Sequence, residues 1–315
     1  MLDPVTLDQL RILSAVAESG SFSAAARKLG RVQSAISQSI QALETALGTS
    51  LFERDGKVPK LNDAGRVILA DARRLISGME TLKARAEGIA NDIEPELTLA
   101  VDAIIPIDVL TRSLKGLSEA FPCLPVTLFT EGLGGAEQRL RDGVARLGLY
   151  VPIPGSTDEM EAEFLMPIPT VPVVAAGHPL AAVAGPLSRD RLEGEVQLVL
   201  TDRTPITNGL AGGILSRRTW RFADLTTRLA FLLAGFGWCN MPTHLVRRQI
   251  EEGQLKVLDI PGNPVREFPI HVVYQRGRPP GKAGRWLIDE IRRLLPECAA
   301  HMEEQERHAI QIAAE

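Results

Sequence analysis

The chain of 315 residues is poor in several things that would have assigned it a chemistry. Its three cysteines, Cys123, Cys239 and Cys298, are odd in number and far apart and form no CxxC pair. That argues against a disulfide framework or a zinc site and for a reducing cytoplasm. The five histidines show no HExxH spacing, and there is no GxSxG elbow and no Gly-Lys-Ser/Thr phosphate loop. No catalytic constellation, metal site or cofactor is therefore expected. The longest apolar runs, such as VPVVAAGHPLAAVAG, are broken by Pro, Gly and His and fall short of a membrane span. The N-terminal MLDPVTLDQLRIL has no basic stretch leading into an apolar core, so it does not read as a secretory signal. Cytoplasmic location and no membrane partner are the expectation.

What is present points to several domains, since 315 residues exceed one ordinary core. Net charge is −4 overall. Residues 1–90 hold 12 Lys/Arg against 10 Asp/Glu, a net of +2, which leaves 23 against 29, a net of −6, for the rest. The asymmetry is a weak pointer to a nucleic-acid-facing N-terminal part.

Up to about Leu61 the apolar spacing is helical in short segments, LDQLRILSAVAESG, SFSAAARKLG and VQSAISQSIQALETALG, punctuated by Gly20, Gly30 and Gly48. The piece DGKVPKL that follows predicts a tight hairpin. From Asn62 to Ala90 the pattern is one long helix, with Asn62 or Asp63 as its N-cap. Ile68, Ala72, Leu75, Met79, Leu82, Ala86 and Ile89 fall at alternating steps of four and three, a heptad seam roughly 40 Å long. Either the helix lies on its own domain or it pairs with a second copy; the narrow seam favours a dimer through Ile68, Leu75, Met79, Leu82 and Ile89. NDIEPE then reads as a hinge over 91–96. Beyond Leu97, strand-like segments (ELTLAVD, PVTLFTE, VARLGLYV, TVPVVAAG, VQLVLTD, GWCNMP, QLKVLDI, FPIHVVYQ) alternate with helical ones (PIDVLTRSLKGLSEAFP, GAEQRLRDG, FADLTTRLAFLLAGFG, HLVRRQIEEGQ, KAGRWLIDEIRRLL). That predicts α/β architecture around a largely parallel sheet. The polar tail, 297–315, reads as a frayed helix.

The helix starting near Val32 is split in its chemistry. Ile36, Ile40, Leu43 and Leu47 fall in a wedge of about 60°. Ser34, Ser37, Gln38, Gln41 and Thr45 occupy the opposite side, where an ordinary surface helix would carry Glu and Lys. Gln can bond both N6 and N7 of adenine in the major groove, and Ser can bond several base edges. Arg31, with Arg27 and Lys28 on the preceding helix, would neutralise phosphates. Short helix, Gly-containing turn and polar-faced helix are the layout of a winged helix-turn-helix, with DGKVPKL as the wing; a merely solvated polar face has the same spacing.

Over some forty ungapped positions, LSAVAESGSFSAAARKLGRVQSAISQSIQALETALGTSLFER resembles the DNA-binding segment of LysR-type transcriptional regulators, roughly F..VAE.GSFS.AA..L..SQPAVS.QI..LE..LG..LF.R. The chain departs from that pattern at Val32 (usually Ser), Ser34 (usually Pro) and Gln38 (usually Arg). The resemblance implies Gln33, Ser34, Ser37 and Gln38 as base readers, with Gln41 on the same face, and Arg31, Arg54 and Lys57 as phosphate partners. It also implies an all-α winged helix-turn-helix (1–61), a linker helix (62–90), and an effector domain (97–296) of two α/β lobes resembling periplasmic solute-binding proteins. Lobe I would take 97–168 and 269–296, and lobe II 169–268. Double-stranded DNA, a small-molecule effector, further copies of the chain (dimer, then tetramer) and RNA polymerase are the partners it implies; the alternative is a cytoplasmic solute-binding protein without a regulatory role.

Ligands of such lobes sit outside the carboxyl ends of the strands. Asp102, Ala103, Thr130, Glu131, Thr201 and Arg203, with Thr226 and Met241 from later loops, are the candidates to line that cleft, although each also suits plain loop capping. Arg203 favours a carboxylate ligand, Asp102 and Glu131 oppose one, and a hydroxylated, amine-bearing or neutral metabolite is equally compatible. Cys123 and Cys239 are expected to be small buried apolar residues, and His178 and His244 structural.

Overall fold

A computed structural model describes residues 4–53, 59–153, 159–207, 213–261 and 266–295. The chain divides into two compact units, Met1–Ala90 and Asn91–Glu315.

The first unit is helical: α1 (Leu7–Ser19), α2 (Phe22–Leu29), α3 (Gln33–Leu47) and α4 (Asp63–Ala90). Thr6 caps α1 in a reciprocal box with Gln9, and Ser21 caps α2 by accepting the Ala24 N–H. Gly30 ends α2 at φ 64°, a left-handed conformation that only glycine takes without cost, and so makes the sharp turn into α3. The helices close on a core of Leu13, Val16, Ala25, Ile36, Leu43 and Leu51. Asn62 is the N-cap of α4, its Oδ1 accepting the Gly65 N–H at 2.8 Å. Gly65 is obligatory for a different reason: a Cβ there would collide with the Leu51 carbonyl oxygen. Phe52 and Leu61 form an antiparallel bridge at the base of the expected wing. The Asp-Gly turn itself, with Arg54 and Lys57, lies outside the described residues, as does the 297–315 tail.

The seam of α4 divides along its length. Leu69 and Ala72 are buried against the unit's own core, and Ile68 and Ile76 pack beside them. Leu75, Leu82 and Ile89 are 58, 60 and 52 % exposed, and Met79 is half-buried. Ile68 is therefore corrected from a free seam residue to one that anchors the helix to its own head.

In the second unit the order is β1 (Leu97–Asp102), α5 (Ile107–Ala120), β2 (Val126–Glu131), α6 (Gly135–Arg141), β3 (Leu147–Tyr150), β4 (Met160–Ala175), α7 (Arg189–Gly194), β5 (Val196–Leu200), β6 (Arg218–Phe222), α8 (Leu225–Leu233), β7 (Trp238–Pro242), α9 (Thr243–Glu251), β8 (Leu255–Val257) and β9 (Arg266–Gln275). A last helix, α10, covers 282–295. The strands run β2-β1-β3-β9-β4-β7-β5-β6, with β8 on β4. β1 pairs in parallel with β2 and β3, and β5 with β6 and β7. β4 and β9 are instead antiparallel to each other and to their other neighbours. The sheet is thus mixed and not largely parallel: the chain crosses between lobes on β4 and returns on β9, paired from Met160 with Gln275 to Thr170 with Arg266. Lobe I is built on Leu97, Leu99, Leu147, Ile270 and Leu287, and lobe II on Val173, Leu198, Leu232 and Met241. Glu163 on β4 ties down α10 through Arg285 and Arg292 at 2.6 and 2.7 Å. Partial burial pushes its carboxyl up, but the hydrogen bonds from Arg285, Arg292 and the Tyr274 hydroxyl outweigh that and hold it at about 2.

Candidate nucleic-acid interface and ligand cavity

On α3 the apolar residues Ile36, Ile40 and Leu43 turn into the core, while Gln33, Ser34, Ser37, Gln38, Gln41 and Thr45 are exposed. Val32 occupies the N-cap without a side-chain bond, so the first amides of α3 receive nothing from it. Gln33 is steadied by the Ser23 hydroxyl, which donates to its Oε1 at 2.8 Å. Thr45 is turned inward to its own helix, donating to the Gln41 carbonyl. Arg31 departs from expectation: its guanidinium is a two-pronged partner of Asp8, at 2.7 and 2.9 Å. It braces α1 against the α2–α3 turn, and a phosphate would have to compete with that carboxylate.

Between the lobes lies a cavity of about 350 Å³. The end of β1 contributes Asp102, the end of β5 Leu198 and Leu200, α8 Leu225 and Arg228, and the crossing strands Thr170, Arg266 and Phe268. Leu133 adds an apolar wall from a left-handed backbone, φ 51°, a strained conformation for a branched residue and one that gathers at binding sites. Gln197 also lines the cavity but is largely committed: its amide nitrogen donates to the Gly213 carbonyl and its oxygen accepts the Leu215 and Ser216 N–H groups. Across the cleft, Asp202 of lobe II accepts the Gly134 N–H of lobe I at 3.1 Å, and the Thr207 hydroxyl holds the same oxygen at 2.7 Å. Burial pushes the Asp202 carboxyl up, but these bonds and those from Thr204 bring it below its ordinary value.

Of the sequence-derived candidates, Asp102 alone lines this cavity. Ala103, Thr130, Glu131, Arg203 and Thr226 gather instead around a neighbouring recess of about 300 Å³, separated from the first by Leu200 and Leu225, which touch both. There Glu131 is already paired with Arg139 at 2.9 Å. Two candidates are corrected. Thr201 lines neither space and continues the sheet by donating its N–H to the Phe222 carbonyl. Met241 is fully buried behind Arg228, whose Nη2 lies 3.2 Å from its sulfur.

Arg228 is the residue that sequence reasoning passed over. In α8 the buried positions are Leu225, Arg228 and Leu232, steps of three and four that form one apolar stripe with a guanidinium in the middle of it. That misplaced cation was visible in LTTRLAFLL. Asp102 has the opposite history: the end of β1 buries it, its carboxylate's only bond among described residues is from the Ile104 N–H at 3.0 Å, and desolvation pushes that carboxyl up to about 7. Cys239 is buried and its thiol pushed up to about 11, which makes it inert, whereas Cys123 is half-buried. His178 caps the short turn after β4 by accepting the Leu180 N–H. His244 is half-buried with both ring nitrogens out of solvent, and its imidazole is pulled down to about 4 by desolvation and then by Arg247, which keeps it neutral. No group of three or more metal-ligating side chains occurs among the described residues. No described helix is long and apolar enough to cross a membrane.

Two family models match. One, the bacterial regulatory helix-turn-helix protein of the lysR family, covers residues 7–66; the other, the LysR substrate binding domain, covers 90–296. Similar proteins include the HTH-type transcriptional regulator AceR of Acinetobacter baumannii, 31% identical over 91% of this chain and 97% of that one. Another is the probable HTH-type transcriptional regulator YhaJ of Escherichia coli K12, 30% identical over 92% and 97%. Among solved structures, an OxyR mutant of Corynebacterium glutamicum shares the fold at a TM-score of 0.61, with 23% identity and 96% of each chain covered.

Proposed function

The chain belongs to the LysR-type transcriptional regulators, a DNA-binding helix-turn-helix joined to an effector-binding domain, and from that premise we propose how its parts divide the work. The face of α3 carrying Gln33, Ser34, Ser37, Gln38 and Gln41 reads base edges in a major groove. Arg54 and Lys57 hold phosphates beside it, and Arg31 does so only by leaving Asp8. Leu75, Met79, Leu82 and Ile89 zip α4 to a second copy, and two such dimers sit on an interrupted palindrome as a tetramer in the cytoplasm, within reach of RNA polymerase. A small molecule held between the lobes biases the arrangement of the copies and thereby the spacing of the paired heads.

The observation that carries this reading is the outward face of α3. The side chains of Ser34, Ser37, Gln38 and Gln41 are exposed and have no partner among the described residues, so their donors and acceptors are available to bases. A mobility-shift titration against the DNA upstream of the gene, with random DNA of equal length as competitor, tests it. Specific retention supports base reading, and equal retention of both sequences refutes it. The solute-binding alternative is disfavoured because it leaves this face without a purpose.

A further inference from the structure

Resting on the effector-cavity reading above, we propose that the ligand is an organic anion with an apolar body, a one-ring or short branched-chain carboxylate, whose charge is met by Arg228 and Arg266. Three observations on the cavity wall point the same way.

First, Arg228 is a buried cation without a counter-ion. It is 7 % exposed, its Nη2 donates to the Asn240 carbonyl at 2.9 Å, its Nε has no partner, and it forms no ion pair among the described residues. A guanidinium cannot escape burial by shedding its proton at neutral pH, so a buried and unpaired one is costly. A link from α8 to a β7 carbonyl alone would be served by a neutral amide. Second, Arg266 on β9 faces the same cavity, also with no ion pair among the described residues. Third, the one acid among the described residues of the wall is Asp102, which pairs with neither arginine; its carboxylate's only bond among them is from a backbone N–H. Burial raises its carboxyl to about 7, so at neutral pH it is only partly ionised and offsets no more than part of the two positive charges. Most of the remaining described wall is apolar, including Leu133, Val151, Leu198 and Ile214, with Thr170, Gln197, Thr207 and Asn240 as its neutral polar members. A space of about 350 Å³ is at the small end for ligand sites, which sets the size of the body. An amine would meet two guanidinium groups and a carboxyl that resists ionising, so it is the poorer occupant.

The test uses the full chain with three probes of one shape, benzoate, benzamide and benzylamine, plus phenylacetate and hexanoate as further carboxylates, followed by calorimetry and thermal shift at pH 7. We expect at least one carboxylate to bind, and to bind about tenfold or more tightly than its amide or amine isostere. Arg228→Met should abolish that preference. Should Arg228→Met not fold, Arg266→Gln, on an exposed side chain, should still weaken carboxylate binding several-fold at unchanged melting temperature. Equal or tighter binding of benzamide or benzylamine overturns the anion assignment, as does the absence of binding by every carboxylate. Leu133→Trp, which fills the cavity, separates the two readings. Carboxylate binding that survives it refutes the cavity, whereas an amine preference that it abolishes refutes only the anion.

Discussion

Glu94 holds the start of the last helix: its carboxylate oxygens accept the backbone N–H groups of Ala283 and Gly284, each at 3.0 Å. A residue four positions after the first unit thereby caps a helix nearly two hundred residues away. Gly281 and Gly284 are the only room the carboxylate has, since a Cβ at either would lie within 2.9 Å of it. The side chain is 8 % exposed, so its removal leaves two donors dry. Glu94→Ala should destabilise the second unit by about 1–3 kcal/mol, as denaturant unfolding of the full chain will measure. Loss within error of zero would show that water replaces the cap.

At the DNA face, Gln38→Ala should weaken specific binding by roughly 1–3 kcal/mol and leave random-sequence binding and melting temperature alone. A mobility shift on both DNA types decides it. A parallel loss on random DNA assigns Gln38 to the backbone instead.

On α4, Leu75 and Leu82 are one heptad apart and both exposed. Replacing both by Asp should convert the protein to monomers in sedimentation velocity without changing its helical content, because neither packs in the head. A dimer that persists places self-association elsewhere.

The Asp102 carboxyl makes stability depend on pH. Its ordinary value of 3.8 is raised to about 7 by burial, so between those pH values the folded chain holds the proton more tightly than the unfolded one. Stability from this group is full below about pH 4 and is lost as pH rises to 7. Asp102→Asn, which keeps the shape and discards the ionisation, should therefore gain on the native protein by about 2–4 kcal/mol from pH 4 to pH 8. Urea melts of both proteins at those two pH values measure the gap; a constant gap means the carboxyl is hydrated.

Much of the architecture is legible in the sequence because it rests on repetition. The four-three steps of Ile36 to Leu47 and of Ile68 to Ile89, and the apolar runs LTLAV and VQLVL, each depend on one element's own periodicity. β6 is not legible: RTWRF is an edge strand with β5 on one side only, so its arginines stay in solvent and no apolar run marks it. The cavity is harder still. Asp102 follows from the rule that ligands lie beyond strand ends, but the same rule selects Glu131 and Arg203, which face the neighbouring recess. Which side of a strand end looks inward is decided by the crossing of β4 and β9, a pairing between residues about a hundred positions apart. Arg228 is legible only once its helical stripe is laid out and the charge is seen to interrupt it.

The close approach of Gly65 to the Leu51 carbonyl has a mechanical meaning. With no side chain between them, and with Asn62 bonded to the Ser50 and Leu51 carbonyls on the same spot, the rod and the reading head have no compliant layer at their joint. Rotation of the rod about this joint has to move the segment that follows α3, since Asn62 and Gly65 sit directly on the Ser50 and Leu51 backbone. On the proposed reading of α3, a rotation at the far end of the rod would therefore turn the glutamines of that helix against the duplex.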